Sequence, residues 1–327
     1  MTDQSSDRAI RWGILATGGI AARFAQDLAK VPGTVLAAVG SRTASSADTF
    51  AQRYGAARAH GSWEALAADP DVDIIYVATP HSHHHETALL CLRAGKPLLV
   101  EKAFTLDLAT AQDLVSVARE RELFLMEAMW TRTLPAILKA KQLLADGAIG
   151  EVVSVQASFG IGLDPGPEHR LRDPKLGGGA LLDLGVYPVS FAQFLLGAPT
   201  QVRAWATLHP EGTDARTGMI LGFDSGAVAT LYCGVGGDVR MATITGSTGK
   251  IDFPWGFHAP DRFVLHRDGA EPQQFDFDPT GLNYEAEEAT RCLRAGRLES
   301  DLVPLSSTLA VMSTLDAVRA QIGVVYA

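Results

Sequence analysis

Apolar and polar positions follow two different rhythms along this chain. Up to about residue 130, short β-rich apolar runs alternate with stretches of helical periodicity. Ile10–Ala16, Val35–Gly40, Asp73–Ala78, Leu98–Glu101 and Leu123–Glu127 read as strands, and Ile20–Lys30, Ala44–Arg53, His83–Ala94 and Leu108–Arg121 as the helices between them. In Asp73–Ala78 the apolar side chains occupy successive rather than alternate positions, as in a strand covered on both faces. Strict alternation of strand and helix predicts an α/β fold, a doubly wound parallel sheet. Beyond residue 130 the order changes. Leu134–Leu144 and Ala180–Leu196 read as helices with the strand Val152–Phe159 between them. Val202–Leu208, Thr217–Phe223, Ala227–Gly234, Val239–Gly246 and Arg262–Arg267 then follow as strands, and Tyr284–Ala295 and Ser306–Ile322 close the chain as helices. Strands in a row predict a C-terminal α+β domain with an open-faced, largely antiparallel sheet. Its uncovered face is expected to bury itself in a second copy of the chain, as a homodimer.

A length of 327 residues suits two domains, and the change of rhythm divides them as residues 1–130 and 131–327. Apolar residues at 47% and charged residues at 20% describe a globular chain with a core. Lys plus Arg number 28 against 37 for Asp plus Glu, a net charge of −9 with no basic run, so no nucleic acid is expected as a partner. No apolar run approaches the roughly 18 residues that cross a bilayer, so no membrane is expected either. Met1–Asp7 is short and polar, without the basic-then-apolar pattern of a secretory signal, and the expected location is cytoplasmic. Cys91, Cys233 and Cys292 lie far apart and read as small buried hydrophobes.

Chemistry gathers at the ends of the expected parallel strands. Ala16-Thr17-Gly18-Gly19-Ile20-Ala21 fits G-x-G-x-x-G/A with Ala at the first and last glycine positions. Between a first strand and a first helix, Gly18 lets the backbone approach a pyrophosphate resting on the helix N-terminus, with Thr17, Gly19 and Ile20 around it. The same segment without a ligand is a tight turn. The second strand ends in Gly40-Ser41-Arg42-Thr43 and lacks the acid that would hold a ribose 2′-hydroxyl. Ser41 and Arg42 suit a 2′-phosphate instead, which favours NADP over NAD. Thr79-Pro80-His81 ends the strand Asp73–Ala78 at the carboxyl edge, beside a cofactor. His81, His83, His84, His85 and Glu86 crowd together, but neighbours on a helix point in different directions, so no metal is expected and His84 reads as a packing or hydrogen-bonding residue.

Two further segments carry charge into apolar surroundings. Leu98–Glu101 is a buried strand ending at Glu101 and Lys102, which alternation sends to opposite sides. A cationic nicotinamide nearby would lower an ammonium pKa and make Lys102 a usable acid/base. On the strand alone, a structural salt bridge is the plainer reading. In Gly177-Gly178-Gly179-Ala180-Leu181-Leu182-Asp183-Leu184-Gly185-Val186-Tyr187, a helix puts Asp183 and Tyr187 on one face. That polar face meets a ligand or is internally partnered, and Tyr187 fits either a proton relay or a core tyrosine.

The order of these motifs resembles the glucose–fructose oxidoreductase/inositol dehydrogenase family (Gfo/Idh/MocA) over nearly the whole chain. Arg11-Trp12-Gly13-Ile14 and Leu123-Phe124-Leu125-Met126-Glu127-Ala128-Met129-Trp130-Thr131-Arg132 are similar to its dimeric dihydrodiol dehydrogenase branch, whose relatives include NADP-linked aldose (xylose) dehydrogenases. The resemblance implies an N-terminal Rossmann domain, a dimerising C-terminal sheet domain, and hydride transfer between NADP and a cyclic sugar, polyol or diol. It puts Lys102 on the family's catalytic lysine and Asp183 and Tyr187 on its second motif, with substrate in a cleft between the domains. Trp130, Phe159 and Trp255 match aromatic positions of the branch, and Arg132 closes its specific run; these are the implied substrate residues. Ala103 departs from the proline that usually follows Glu-Lys. An inositol or 1,5-anhydrofructose-type oxidoreductase, and an inactive NADP-binding sensor, share most of these motifs.

Overall fold

The structure, a computed structural model, describes residues 8–278 and 281–326. In chain order its elements are β1 (Ile10–Leu15), α1 (Gly19–Leu28), β2 (Thr34–Gly40), α2 (Ala44–Tyr54), β3 (Arg58–His60), α3 (Trp63–Ala67), β4 (Ile74–Val77), α4 (His81–Arg93), β5 (Leu98–Glu101), α5 (Leu108–Glu120) and β6 (Leu125–Ala128). There follow α6 (Pro135–Ala145), β7 (Val152–Ile161), α7 (Val186–Leu196), β8 (Gln201–Leu208), β9 (Asp214–Gly222), β10 (Val228–Val235), β11 (Val239–Gly246), β12 (Gly249–Phe253), β13 (Arg262–Arg267), β14 (Gln273–Asp276), α8 (Asn283–Arg294) and α9 (Leu305–Ile322). Contacts divide the chain into two compact units. One holds residues 8–105, 109–130 and 281–308, and the other 106–108, 131–278 and 309–326.

The first unit is built on a six-stranded sheet, ordered β3-β2-β1-β4-β5-β6, and every pairing in it is parallel. All four residues of β4, β5 and β6 are buried, as helices on both faces require. Phe24 of α1 stacks on Tyr76 of β4 at 3.8 Å between ring centroids and tilts against Trp12 of β1 at 5.3 Å. This is the doubly wound architecture expected from the sequence. The pair β3–α3 was not foreseen: β3 is three half-buried residues, and α3 is a single turn capped by Ser62.

The second unit is built on an eight-stranded sheet, ordered β14-β13-β12-β11-β7-β10-β9-β8. Only β7–β10 pairs in parallel; the others are antiparallel. One face packs on α7. On the other face, spread over different register positions, lie Trp205, Ile220, Val228 and Met241, of which Trp205 is 73% exposed. β12 and β14 lay outside the sequence expectation because their runs are only five and four residues long.

Two expectations about Ala180–Leu196 need correction. Its first turn, Leu181–Gly185, is π-helical rather than α-helical. The stretch Pro174–Leu196 also reaches the length and mean hydropathy (1.4) of a membrane span, because its interrupting Gly, Pro and Ser cost the average little. Its most apolar 18-residue window is 89% buried inside the fold, where α7 is a core helix.

The segment carrying α8 packs on the first unit. Its Leu282 N–H donates to Asp27 of α1 at 2.8 Å, and Leu298 accepts from the Leu125 N–H of β6. This packing leaves Glu285 fully buried, with neither carboxyl oxygen hydrogen-bonded among the described residues. Burial, then the charge of Glu101, raises its pKa well above the usual carboxylate range. The folded chain therefore keeps a proton that the unfolded chain releases above about pH 4.5, and this group makes stability fall as pH rises past that point. Glu285→Gln should unfold at a higher denaturant midpoint than the parent at pH 8, with the difference shrinking toward pH 4.5. Urea titrations across that range check it.

Candidate functional site

The strand order reverses direction between β1 and β4, the switch point at which a crevice opens beyond the carboxyl ends of such a sheet. Since β2, β1, β4 and β5 are successive neighbours, their ends lie in one row. Ser41 and Arg42 follow β2, Thr17–Ile20 follow β1, Thr79 and His81 follow β4, and Glu101 and Lys102 stand at the end of β5. Three strand spacings separate the outer members, on the order of 14 Å, which suits an extended dinucleotide.

The turn after β1 is shaped for a ligand. Gly18 has φ −75°, and a Cβ added at Gly18 or Gly19 would meet no protein atom within 4 Å. Neither conformation nor packing within the chain requires glycine there; the space left clear lies at the N-terminus of α1. No side chain caps that terminus and its first turn carries no acid, so its N–H donors suit an anionic pyrophosphate. Ala16, at the motif's first glycine position, takes φ +100°. A cavity of about 510 Å³ adjoins the turn, with Ser45, Ser46 and Arg53 of α2 on its far side. Ser41 is buried and Arg42 exposed. Ser45 and Ser46 were missed; the Thr43-Ala44-Ser45-Ser46 run reads first as a helix start, and Thr43 does accept from the Ser46 N–H.

Glu101 is buried, accepts from the Tyr76 hydroxyl, and takes the Lys102 N–H on its other oxygen at 3.1 Å. It thus holds the backbone that carries the ammonium. The Lys102–Ala103 peptide is cis. His84, fully buried, places Nε2 2.7 Å from the Thr79 carbonyl oxygen and Nδ1 2.9 Å from that of Ala103. Burial, followed by the charge of His81, pushes its pKa down to about 3, and a neutral ring, with a single N–H, donates to only one of these two carbonyls at a time. Trp130 is buried, with the Arg23 guanidinium 4.9 Å from its ring centroid. Among the described residues, no group of three or more His, Cys, Asp and Glu is arranged to hold a metal ion.

In the second unit, Tyr187 meets the Phe159 ring edge-on at 5.2 Å and the His258 ring at 5.6 Å, while Phe159 stacks on His258 at 4.1 Å. The Arg240 guanidinium lies 5.9 Å from Phe159 and 5.6 Å from Trp255, which is 56% exposed. Asp183 accepts from Arg170 at 2.8 Å. Tyr187, Phe159 and Trp255 therefore fall in one neighbourhood. Arg132 is buried, with Nε donating to Ser190 Oγ at 2.8 Å and its guanidinium over Phe194, both on α7. His258 was not foreseen; as a lone histidine after Trp255-Gly256-Phe257 it carries no spacing signal.

Residues 10–129 match the family described as "Oxidoreductase family, NAD-binding Rossmann fold", and residues 137–252 match "GFO/IDH/MocA C-terminal domain". The chain is 36% identical to D-xylose 1-dehydrogenase (NADP(+)) of Hypocrea jecorina, covering 97% of this chain and 93% of that one. It is 36% identical to trans-1,2-dihydrobenzene-1,2-diol dehydrogenase of Danio rerio, covering 97% and 98%. A 3-ketoreductase from Actinomadura kijaniata, crystallised with NADP and TDP-benzene, superposes with a TM-score of 0.84 at 30% identity, covering 96% and 98%.

A side chain at φ +100° is disfavoured, and glycine relieves it. Ala16→Gly should raise stability by about 1 kcal/mol without weakening dinucleotide binding, measured by chemical unfolding and by fluorescence titration with NADPH.

Proposed function

The chain belongs to the Gfo/Idh/MocA oxidoreductase family, and on that premise we propose an NADP-dependent dehydrogenase acting on a cyclic sugar or diol, of the aldose 1-dehydrogenase or trans-dihydrodiol dehydrogenase type. The observation that carries this reading is the row of strand ends, which runs from Ser41 and Arg42, through the open turn at Gly18 and Gly19, to Thr79 and Lys102. Its acid-free end suits a 2′-phosphate, its middle a pyrophosphate, and its far end a proton-transferring group beside a nicotinamide. The relatives named above, one NADP-linked and acting on a sugar, the other on a diol, support the same reading.

When bound, the nicotinamide supplies the hydride acceptor or donor. The chain's residues do the rest. The first unit holds the dinucleotide; the second contacts substrate. Lys102 in the first unit and Tyr187 in the second are the two candidates for taking the substrate hydroxyl proton. Glu101 fixes the Lys102 backbone. Asp183, neutralised by Arg170, holds its charge close to Tyr187 in sequence without leaving it unpaired. Trp130 in the first unit, and Phe159 and Trp255 in the second, are the aromatic candidates for substrate contact, of which Trp255 is the exposed one. Arg132, with its guanidinium committed to α7, supports that helix.

Trp205, Ile220, Val228 and Met241 are exposed apolar residues on one face of the second sheet, and that face suits a two-fold partner of the same chain. Cytoplasm is the compartment this reading carries, with three buried, free thiols.

Wild-type protein given NADP should produce NADPH from at least one member of a panel of aldoses, inositols and cyclic diols, read at the NADPH absorbance band, and should prefer NADP to NAD. Lys102→Ala should lower kcat at least about 100-fold with NADP affinity nearly intact. No turnover of any alcohol by the parent, or full turnover by the variant, would sink the reading. Separately, light scattering should find a dimer that Trp205→Glu with Ile220→Glu converts to a folded monomer.

A further inference from the structure

Asp214 opens β9 and lies far in sequence from the motif of Asp183 and Tyr187, yet its carboxylate is built against that motif. It is 1% exposed. Oδ2 accepts the Leu181 N–H at 2.8 Å and the Thr217 hydroxyl at 2.7 Å. Leu181 begins the π-helical turn Leu181–Gly185 that carries Asp183 and runs directly into α7 with Tyr187. The first N–H groups of a helix have no partner within it, so this carboxylate supplies one from outside, without a local capping side chain. Oδ1 packs against Gly179, where a Cβ would come within 2.2 Å of it and where φ is +111°. The carboxylate and the glycine are thus fitted to each other, which gives a physical reason for the last glycine of the Gly177-Gly178-Gly179 run.

Burying a carboxylate is costly. Desolvation pushes the Asp214 pKa up to about 6, against the hydrogen bonds from Thr217 and Leu181. An apolar residue of similar shape would fill the same space without that cost. What it could not do is hold the start of the turn.

We infer that Asp214 is a positioning residue, clamping the Leu181–Gly185 turn so that Asp183 and Tyr187 project in one fixed direction. The inference rests on the proposed roles of those two residues and extends them to a third that does not itself touch substrate.

The test compares Asp214→Ala and Asp214→Leu with Asp214→Asn in the full-length chain, using the best alcohol substrate of the parent. Without the acceptor, kcat should fall on the order of 10- to 100-fold, while NADP affinity, set in the first unit, is unchanged. Asp214→Asn, whose amide oxygen can accept both hydrogen bonds, should restore kcat to within about threefold. Leucine is close to aspartate in shape and serves if the alanine variant does not fold. A folded alanine or leucine variant with parental kcat overturns the assignment, as does an asparagine variant as impaired as the alanine one. A purely structural role would lower the melting temperature but leave kcat per folded molecule unmoved. Failure of the parent to oxidise any alcohol would instead sink the functional reading, so the two failures are distinguishable.

Discussion

Parallel pairing is the constraint from which the rest of the first unit follows. Strands that all run one way deliver all their carboxyl ends to one edge, and each must be followed by a turn into a helix or loop. That edge gathers exposed backbone N–H groups and short polar runs that the buried strands cannot hold. Ser41, Gly18, Thr79 and Lys102 come from four separate stretches of sequence, yet they form one row because β2, β1, β4 and β5 are neighbours. No side chain has to reach far; the register of the sheet does the assembling.

The second unit works by a different principle. Its sheet can leave a face uncovered, so packing is concentrated on the other face, against α7. The helix there is nearly all buried, which is why the polar residues of its leading turn need partners supplied by distant strands and loops. Arg170 reaches Asp183, Asp214 reaches Leu181, and Arg132 reaches Ser190. The apolar helix is held in place by a few strong polar ties at its entry and along its length.

How much of this was legible in the sequence depended on whether the signal was local. The alternating strands and helices, the turn at Gly18 and the acid-free end at Ser41-Arg42 all rest on neighbours within a few residues. His84 as a hydrogen-bonding residue could likewise be read from its helix. What escaped were relations across long separations: Glu285 buried near Glu101, Asp214 at the Leu181 N–H, and His258 against Phe159. Nothing in the immediate surroundings of Asp214 says that its partner lies 33 residues earlier. Very short elements such as β3 failed for another reason, since three residues carry too little periodicity to be told from a loop.

The return of residues 281–308 to the first unit bears on how the polypeptide matures. The six strands of the parallel sheet have all been synthesised by residue 128, but the segment that receives Asp27 and pairs with the edge of β6 is made only after the whole second sheet. During translation, the early sheet must therefore wait with one flank incomplete while nearly half of the molecule emerges. A gene cut near residue 130 would remove the segment whose backbone meets Asp27 and Leu125, so one continuous stretch of sequence does not encode the whole first unit.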